Sequence, residues 1–400
     1  MNIQWTAMPP ANAPKSGRHF LQIPGPSNVP DRVLRAIDRA TIDHRGPEFA
    51  ALTLEILDRL KTLFGTRGSV VMYPSSGTGA WEAALVNTLS PGDSVLAFDN
   101  GQFATLWRGV AGKLGLDVAF EQGDWRDAVD PAAVERRLRE DTDHAIKAVM
   151  VVHNETSTGV VSPIAEIRRA IDRANHPALY MVDTVSSLGS MEYRHDEWGV
   201  DVTVCGSQKG MMLPPGIGFN AVGEKAIRAS EAAGMAKAYW DWAPILKGNE
   251  QGFFPYTPPT NLLYGLRESL AMLMEEGLDH VFARHHRLAE ATRLAVAGWG
   301  LEILCRDPAR ASDTLTAVVM PDGHDADDVR KVILVRFDMS LGVGLGPLAG
   351  KVFRIGHLGD LNDLTLAGTL AGVEMGLSLA GVPHDKGGVS AALDYLARTT

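Results

Sequence analysis

The stretch "SVVMYPSSGTGAWEAALVNTL" (Ser69–Leu89) reads as a strand, a turn and a helix in immediate succession. "SVVMY" is apolar at consecutive positions instead of alternating ones, which marks a strand covered on both faces. "PSSGTG" supplies turn residues, and "AWEAALVNTL" is rich in helix formers. A helix that begins directly after a buried strand aims its free N–H groups and positive end at one point, here beside the Ser76 and Thr78 hydroxyls. That is an anion cup. It is not a Walker A loop, because no Gly-Lys-Ser/Thr follows, and it is not GxGxxG, because Glu82 occupies the third glycine position.

The same alternation continues to about residue 222. Further strand candidates are "SVLAF" (Ser94–Phe98), "DVAF" (Asp117–Phe120), "IKAVMVV" (Ile146–Val152), "ALYMVD" (Ala178–Asp183), "DVTVC" (Asp201–Cys205) and "GFNAV" (Gly218–Val222), with helical stretches such as "SPIAEIRRAIDRAN" between them. Apolar strands separated by helices predict an α/β fold around a mainly parallel seven-stranded sheet. In such sheets ligands bind beyond the carboxyl ends of the strands. After Tyr256 the pattern changes to a long helical region (Leu262–Ala297), strands near "LTAVVM" and "KVFRIG", and a terminal helical region. The expected organisation is an N-terminal arm (1–20), a large domain (21–265) and a smaller C-terminal α+β domain (266–400).

Composition limits the possibilities. A chain of 400 residues that is 45% hydrophobic has enough apolar material for two domains. Its formal charge of −10 and lack of any Lys/Arg-rich block argue against nucleic acid as a partner, so an acidic substrate needs a local basic pocket. Two cysteines, Cys205 and Cys305, make neither a disulfide framework nor a zinc pattern, which suits a reducing cytoplasm and no metal. The N-terminal "MNIQWTAMPPANAPKSGRHF" lacks the apolar run of a secretory signal, and Leu364–Val382 holds Glu374 and several glycines, so it reads as a packed helix and not as a membrane span.

Three more stretches carry charges where charges are costly. In "ALYMVDTVSSLGS", Asp183 closes an apolar strand, and a carboxylate there either caps the next turn or meets something positive. In "VDVTVCGSQKGMMLPPGIG" (Val200–Gly218), Lys209 is the single charged side chain between Asp201 and Glu224. A solvated turn lysine is the ordinary alternative, but in a desolvated site the neutral amine is favoured and becomes a nucleophile toward an aldehyde. In "AGKVFRIGHLG" (Ala349–Gly359), Arg354 is either an edge-strand arginine or a planar fork for a carboxylate. An anion cup, an amine, a carboxylate and a guanidinium together match pyridoxal 5′-phosphate (PLP), which needs partners for its phosphate, aldehyde and pyridinium nitrogen and for the substrate carboxylate.

The motifs "PGPSNVP", "DHRGPEF", "SSGTGAWEAAL", "HNETSTGV", "VDTVSSLGSMEYRHDEWGVDV", "GSQKGMMLPPG", "PYTPP" and "GKVFRIGHLG", spread over residues 20–400, make the chain resemble the class V, fold type I PLP-dependent aminotransferases, and closely the serine-glyoxylate and alanine-glyoxylate group. The resemblance implies that Lys209 bonds the cofactor aldehyde and that Asp183 pairs with the ring nitrogen. It places Ser76, Gly77, Thr78 and Gln208 at the phosphate, Thr158 beside the cofactor, Phe103 stacked on the ring and Arg354 at the substrate carboxylate. Thr257 would reach the phosphate of a neighbouring subunit, which implies a homodimer with composite sites. Phe254 departs from the pattern, since some members carry a Tyr there.

The implied reaction moves an amino group from a small amino acid, serine first, to glyoxylate, giving hydroxypyruvate and glycine. Alanine and aspartate are the alternative donors. A lyase of the same fold needs a mobile catalytic cysteine, and Cys205 falls in a buried strand. A non-catalytic binding protein would have no need of an amine at Lys209.

Overall fold

The computed structural model describes residues 16–399, so most of the expected N-terminal arm lies outside the described residues. Its central sheet has seven strands in the order Ser69–Ser75, Gly216–Val222, Val202–Gly206, Leu179–Asp183, Ile146–Val152, Ser94–Asp99 and Asp117–Gln122. Every neighbouring pair is parallel except the two that Gly216–Val222 makes, which are antiparallel. All seven strand expectations are met.

Side-chain alternation explains why the strands inside this sheet are apolar, whereas the edge strand Asp117–Gln122 is only half-buried. Along Ile146–Val152, Val149 and Val151 enter one core, with Phe49, Ile56, Ile167 and Leu270, while Ala148, Met150 and Val152 enter the other, with Trp81, Leu85 and Trp107. Both faces are dry, so both sets of positions must be apolar.

A second sheet has five strands in the order Phe20–Gln22, Met339–Val343, Val352–Gly356, Leu315–Val319 and Glu302–Ile303. Helices Leu278–Gly298, Ala326–Phe337, Asp363–Leu379 and Gly388–Leu396 contribute to its core through Leu288, Val296, Ile333, Leu370, Val373 and Leu396. Two features cross the division expected at residue 265. Phe20–Gln22 joins the second sheet, parallel to Met339–Leu341, although it lies at the other end of the chain. Helix Thr260–Glu276 buries Leu263, Leu266, Leu270 and Leu273 in the first core. The long helical region expected over 262–297 is interrupted at Gly277, which lies between the two helices with a φ of 85°. Among the described residues no helix is long and apolar enough to cross a membrane.

Candidate active site

The carboxyl ends of the central strands supply the site. Strand Ser69–Ser75 runs into helix Gly77–Thr88 with Ser76 as N-cap, and no side chain caps that helix start. Strand Leu179–Asp183 ends on Asp183, and Val202–Gly206 delivers Gln208 and Lys209 from the turn that follows it. One cavity is lined by Ser76, Gly77, Thr78, Trp81, Phe103, Val152, Asn154, Thr156, Asp183, Val185, Gln208 and Lys209. Seven residues singled out from the sequence therefore meet in one place.

Asp183 is buried, and each of its oxygens is engaged. Oδ1 accepts from the Val185 amide at 2.7 Å and Oδ2 from the Trp81 indole N–H at 2.7 Å. Even so, burial pushes its pKa up to about 7. Two neutral donors do not replace water around a buried charge. Lys209 is also buried, and desolvation, followed by the Arg354 charge, brings its amine down to about 7. Asp183 and Lys209 each favour the other's charged form, but in both cases burial is the larger effect.

The N-terminal segment closes over the lysine. Lys209 Nζ donates to the Pro24 carbonyl, Ser27 N–H donates to the Gln208 carbonyl at 2.9 Å, and Ser27 Oγ donates to the Lys209 carbonyl at 2.8 Å. Gly25 lies so close that a Cβ there would collide with Lys209 Cδ. Only glycine leaves room for this approach.

Arg354, on strand Val352–Gly356, donates from Nε to the Val343 carbonyl at 2.8 Å and from Nη1 to the Thr156 carbonyl at 2.6 Å. Burial lowers its pKa to about 10, so it stays cationic at neutral pH. Thr156 lines the cavity; Arg354 does not, and is joined to the lining through that carbonyl.

Besides Arg354, two expected residues are absent from the cavity lining. Thr158 is buried outside the cavity lining, with its hydroxyl donating to the Glu155 carbonyl at 3.3 Å. The tight turn between strands Asn154–Glu155 and Val160–Val161 presents Thr156 to the cavity. Thr257 is exposed and does not line the cavity. Phe254 packs edge-on against Phe49 at 6.2 Å between ring centroids, and the Tyr256 hydroxyl is engaged by the Met72 carbonyl at 3.0 Å. Trp81, Val152, Asn154, Thr156 and Val185 are cavity residues not singled out from the sequence. Trp81 sits in an apolar helix and reads there as core.

The family profile "Aminotransferase class-V" matches residues 19–338. The chain belongs to the class V aminotransferases. It is 51% identical to a serine–glyoxylate aminotransferase of Methylorubrum extorquens, over 96% of this chain and 97% of that one. It is 46% identical to an L-aspartate–glyoxylate aminotransferase of Paracoccus denitrificans, over 94% and 96%. Among solved structures, an alanine–glyoxylate aminotransferase from Nostoc sp. superposes with a TM-score of 0.85 at 31% identity, covering 91% of this chain and 96% of that one.

Membership in the class V aminotransferases implies PLP, and the residues present fit it. The helix start at Ser76 has no side-chain cap of its own, and Asp183 is a buried carboxylate whose charge asks for a cation beside it. Both cysteines are poorly suited to lyase chemistry. Burial pushes the Cys205 thiol to about 12 and the Cys305 thiol to about 11.

Proposed function

We propose that this aminotransferase moves the amino group of L-serine to glyoxylate, forming hydroxypyruvate and glycine, and that it works as a cytoplasmic homodimer. The observation that carries the chemistry is the buried, desolvated amine of Lys209 in one cavity with Asp183 and an uncapped helix start. The choice of serine is supported by the 51% identity to a serine–glyoxylate aminotransferase. The 46% identity to an L-aspartate–glyoxylate aminotransferase makes aspartate the second reading.

PLP, when bound, supplies an aldehyde carbon that bonds to amino nitrogen and a ring that takes up electrons from the α-carbon. The chain's residues then divide the work. The Gly77–Thr88 helix start, with the Ser76 and Thr78 hydroxyls and Gln208, holds the phosphate. Asp183 keeps a proton on the ring nitrogen, and Trp81 and Val185 hold its carboxylate in place. Phe103 and Val185 provide cavity walls. Arg354 receives the carboxylate of the amino acid and later that of glyoxylate. Lys209 Nζ, with its pKa near 7, would take the proton from the donor α-carbon and deliver it to the former aldehyde carbon within the same half-reaction, and would carry a proton the opposite way in the second. The Pro24 carbonyl orients that amine and the backbone at Gly25 keeps water from it. Thr257, exposed in the single chain, would complete the phosphate site of a second subunit.

The test is the visible absorbance of purified protein supplied with PLP, followed on adding L-serine and then glyoxylate, with L-alanine and L-aspartate in parallel. A band that bleaches fastest with serine and returns with glyoxylate supports the reading. Fastest bleaching with aspartate overturns the donor, and no band overturns the role of Lys209.

A further inference from the structure

Glu155 has no place in the roles assigned above, yet it is fully buried beside the cavity. Its carboxylate accepts from the Phe103 amide at 3.2 Å, the Ala104 amide at 3.2 Å, the Ser157 amide at 3.0 Å and the Ser157 hydroxyl at 2.7 Å. Ser157 Oγ accepts in turn from the Gln102 amide at 2.9 Å. The opening N–H groups of helix Gln102–Lys113 are therefore satisfied from a distant segment, because the N-cap is Gly101 and has no side chain to offer. The two segments are fitted closely. A Cβ on Gly101 would collide with Glu155 Cγ and Cδ.

A Ser or Asp at position 101 would cap the same helix locally without burying a charge. What the remote cap adds is position. Phe103, a cavity wall, is the residue whose amide Glu155 holds, and the residue after Glu155 is Thr156, whose carbonyl holds Arg354. The carboxylate also favours the charged forms of both Lys209 and Arg354. One buried acid thus ties together the ring wall and the carboxylate-binding arginine.

We propose that Glu155 is a positioning residue that locks Phe103 against the bound cofactor and, through Thr156, fixes Arg354 at the substrate end of the site. The proposal rests on the PLP reading above. Glu155→Gln keeps the shape but turns one acceptor into a donor facing the Phe103 and Ala104 amides. The PLP dissociation constant of the apoprotein, measured by equilibrium dialysis, is expected to rise about tenfold or more, the loss that follows when a buried hydrogen-bond network is left unpaired. The visible circular dichroism of the bound cofactor is expected to fall by about half, since it reports how the ring sits in its asymmetric wall and not whether the protein is folded. KM for the amino donor rises more than kcat falls.

A double variant tests the route. If Glu155 acts on the cofactor through Phe103, adding Glu155→Gln to Phe103→Leu changes PLP affinity by less than about twofold beyond Phe103→Leu alone. Fully additive losses overturn that route. PLP affinity and dichroism of Glu155→Gln within about twofold of wild type overturn the proposal. Should Glu155→Gln give no folded protein, Ser157→Ala decides, with a loss of about threefold and the same change in dichroism expected from one weakened hydrogen bond, and wild-type values refuting the idea. Wild-type protein that does not bind PLP would sink the functional reading itself, a separate result.

Discussion

Replacing Asp183 by Asn should stabilise the apoprotein while weakening its hold on PLP. Burial raises the Asp183 pKa from 3.8 to about 7, a shift of roughly three units. At about 1.4 kcal/mol per unit, the ionised carboxylate costs the apoprotein on the order of 4 kcal/mol at pH 8. Asn removes the charge but offers one oxygen where Trp81 and Val185 both donate, so one donor is left facing an amide nitrogen, at a cost of about 1–3 kcal/mol. The net expectation is a gain of roughly 1–3 kcal/mol for Asp183→Asn apoprotein at pH 8.

The pH dependence is the cleaner signature. A group whose folded pKa is raised contributes stability below its unfolded pKa and loses it as pH climbs through the folded value. Wild-type stability should therefore fall relative to Asp183→Asn between about pH 4 and 7, by up to about 4 kcal/mol, and the gap should level off above that range. Urea denaturation of both apoproteins at several pH values measures it. With saturating PLP the order should reverse, because a ligand that binds the native state stabilises the protein that binds it more tightly. A variant less stable than wild type by the same amount at pH 5 and pH 8 would refute the reasoning, since it would show that the buried charge carries no penalty.

Other consequences follow from the geometry at the cavity rim. Arg354→Lys loses the planar fork while keeping the charge, so KM for serine should rise about 10- to 100-fold with a smaller fall in kcat in steady-state assays. Thr158→Val should leave PLP affinity within about twofold of wild type and cost about 1 kcal/mol of stability, because its hydroxyl serves only the Glu155 carbonyl outside the cavity lining. Thr156→Val, by contrast, should raise KM for the donor severalfold. Its hydroxyl donates to Ser186 Oγ at 2.7 Å, and the same residue holds Arg354 through its carbonyl.

Much of this was legible in the sequence where burial leaves a compositional trace. Six of the central strands stand out because both of their faces are covered, the edge strand Asp117–Gln122 being only half-buried, and Asp183 and Lys209 stand out because a charge is conspicuous among apolar neighbours. What escaped has no such trace. The strand Phe20–Gln22 is three residues long, and its partner lies more than three hundred residues away, a pairing that no local pattern announces. The Pro24 carbonyl acts through the backbone, which every residue shares. In "HNETSTGV" the orientation of each side chain is set by the turn's backbone angles, so Thr156 and Thr158 look equivalent until the turn is seen. Glu155, in the same polar run, reads as a loop residue because its partners, Phe103 and Ala104, come from a helix fifty residues earlier.

The pairing of Phe20–Gln22 with Met339–Leu341 has a consequence for synthesis. The segment that shields Lys209 is anchored on one side to the turn after strand Val202–Gly206 and on the other to a sheet whose other strands are translated near the end of the chain. Domains tend to fold as they emerge from the ribosome, and contacts between distant parts of a chain close late. The central sheet can thus be complete while the amine of Lys209 is still open to water. The pairing that fixes the far side of this roof can form only after residue 341 has left the exit tunnel, so that anchor is among the last contacts near the reactive centre to be made.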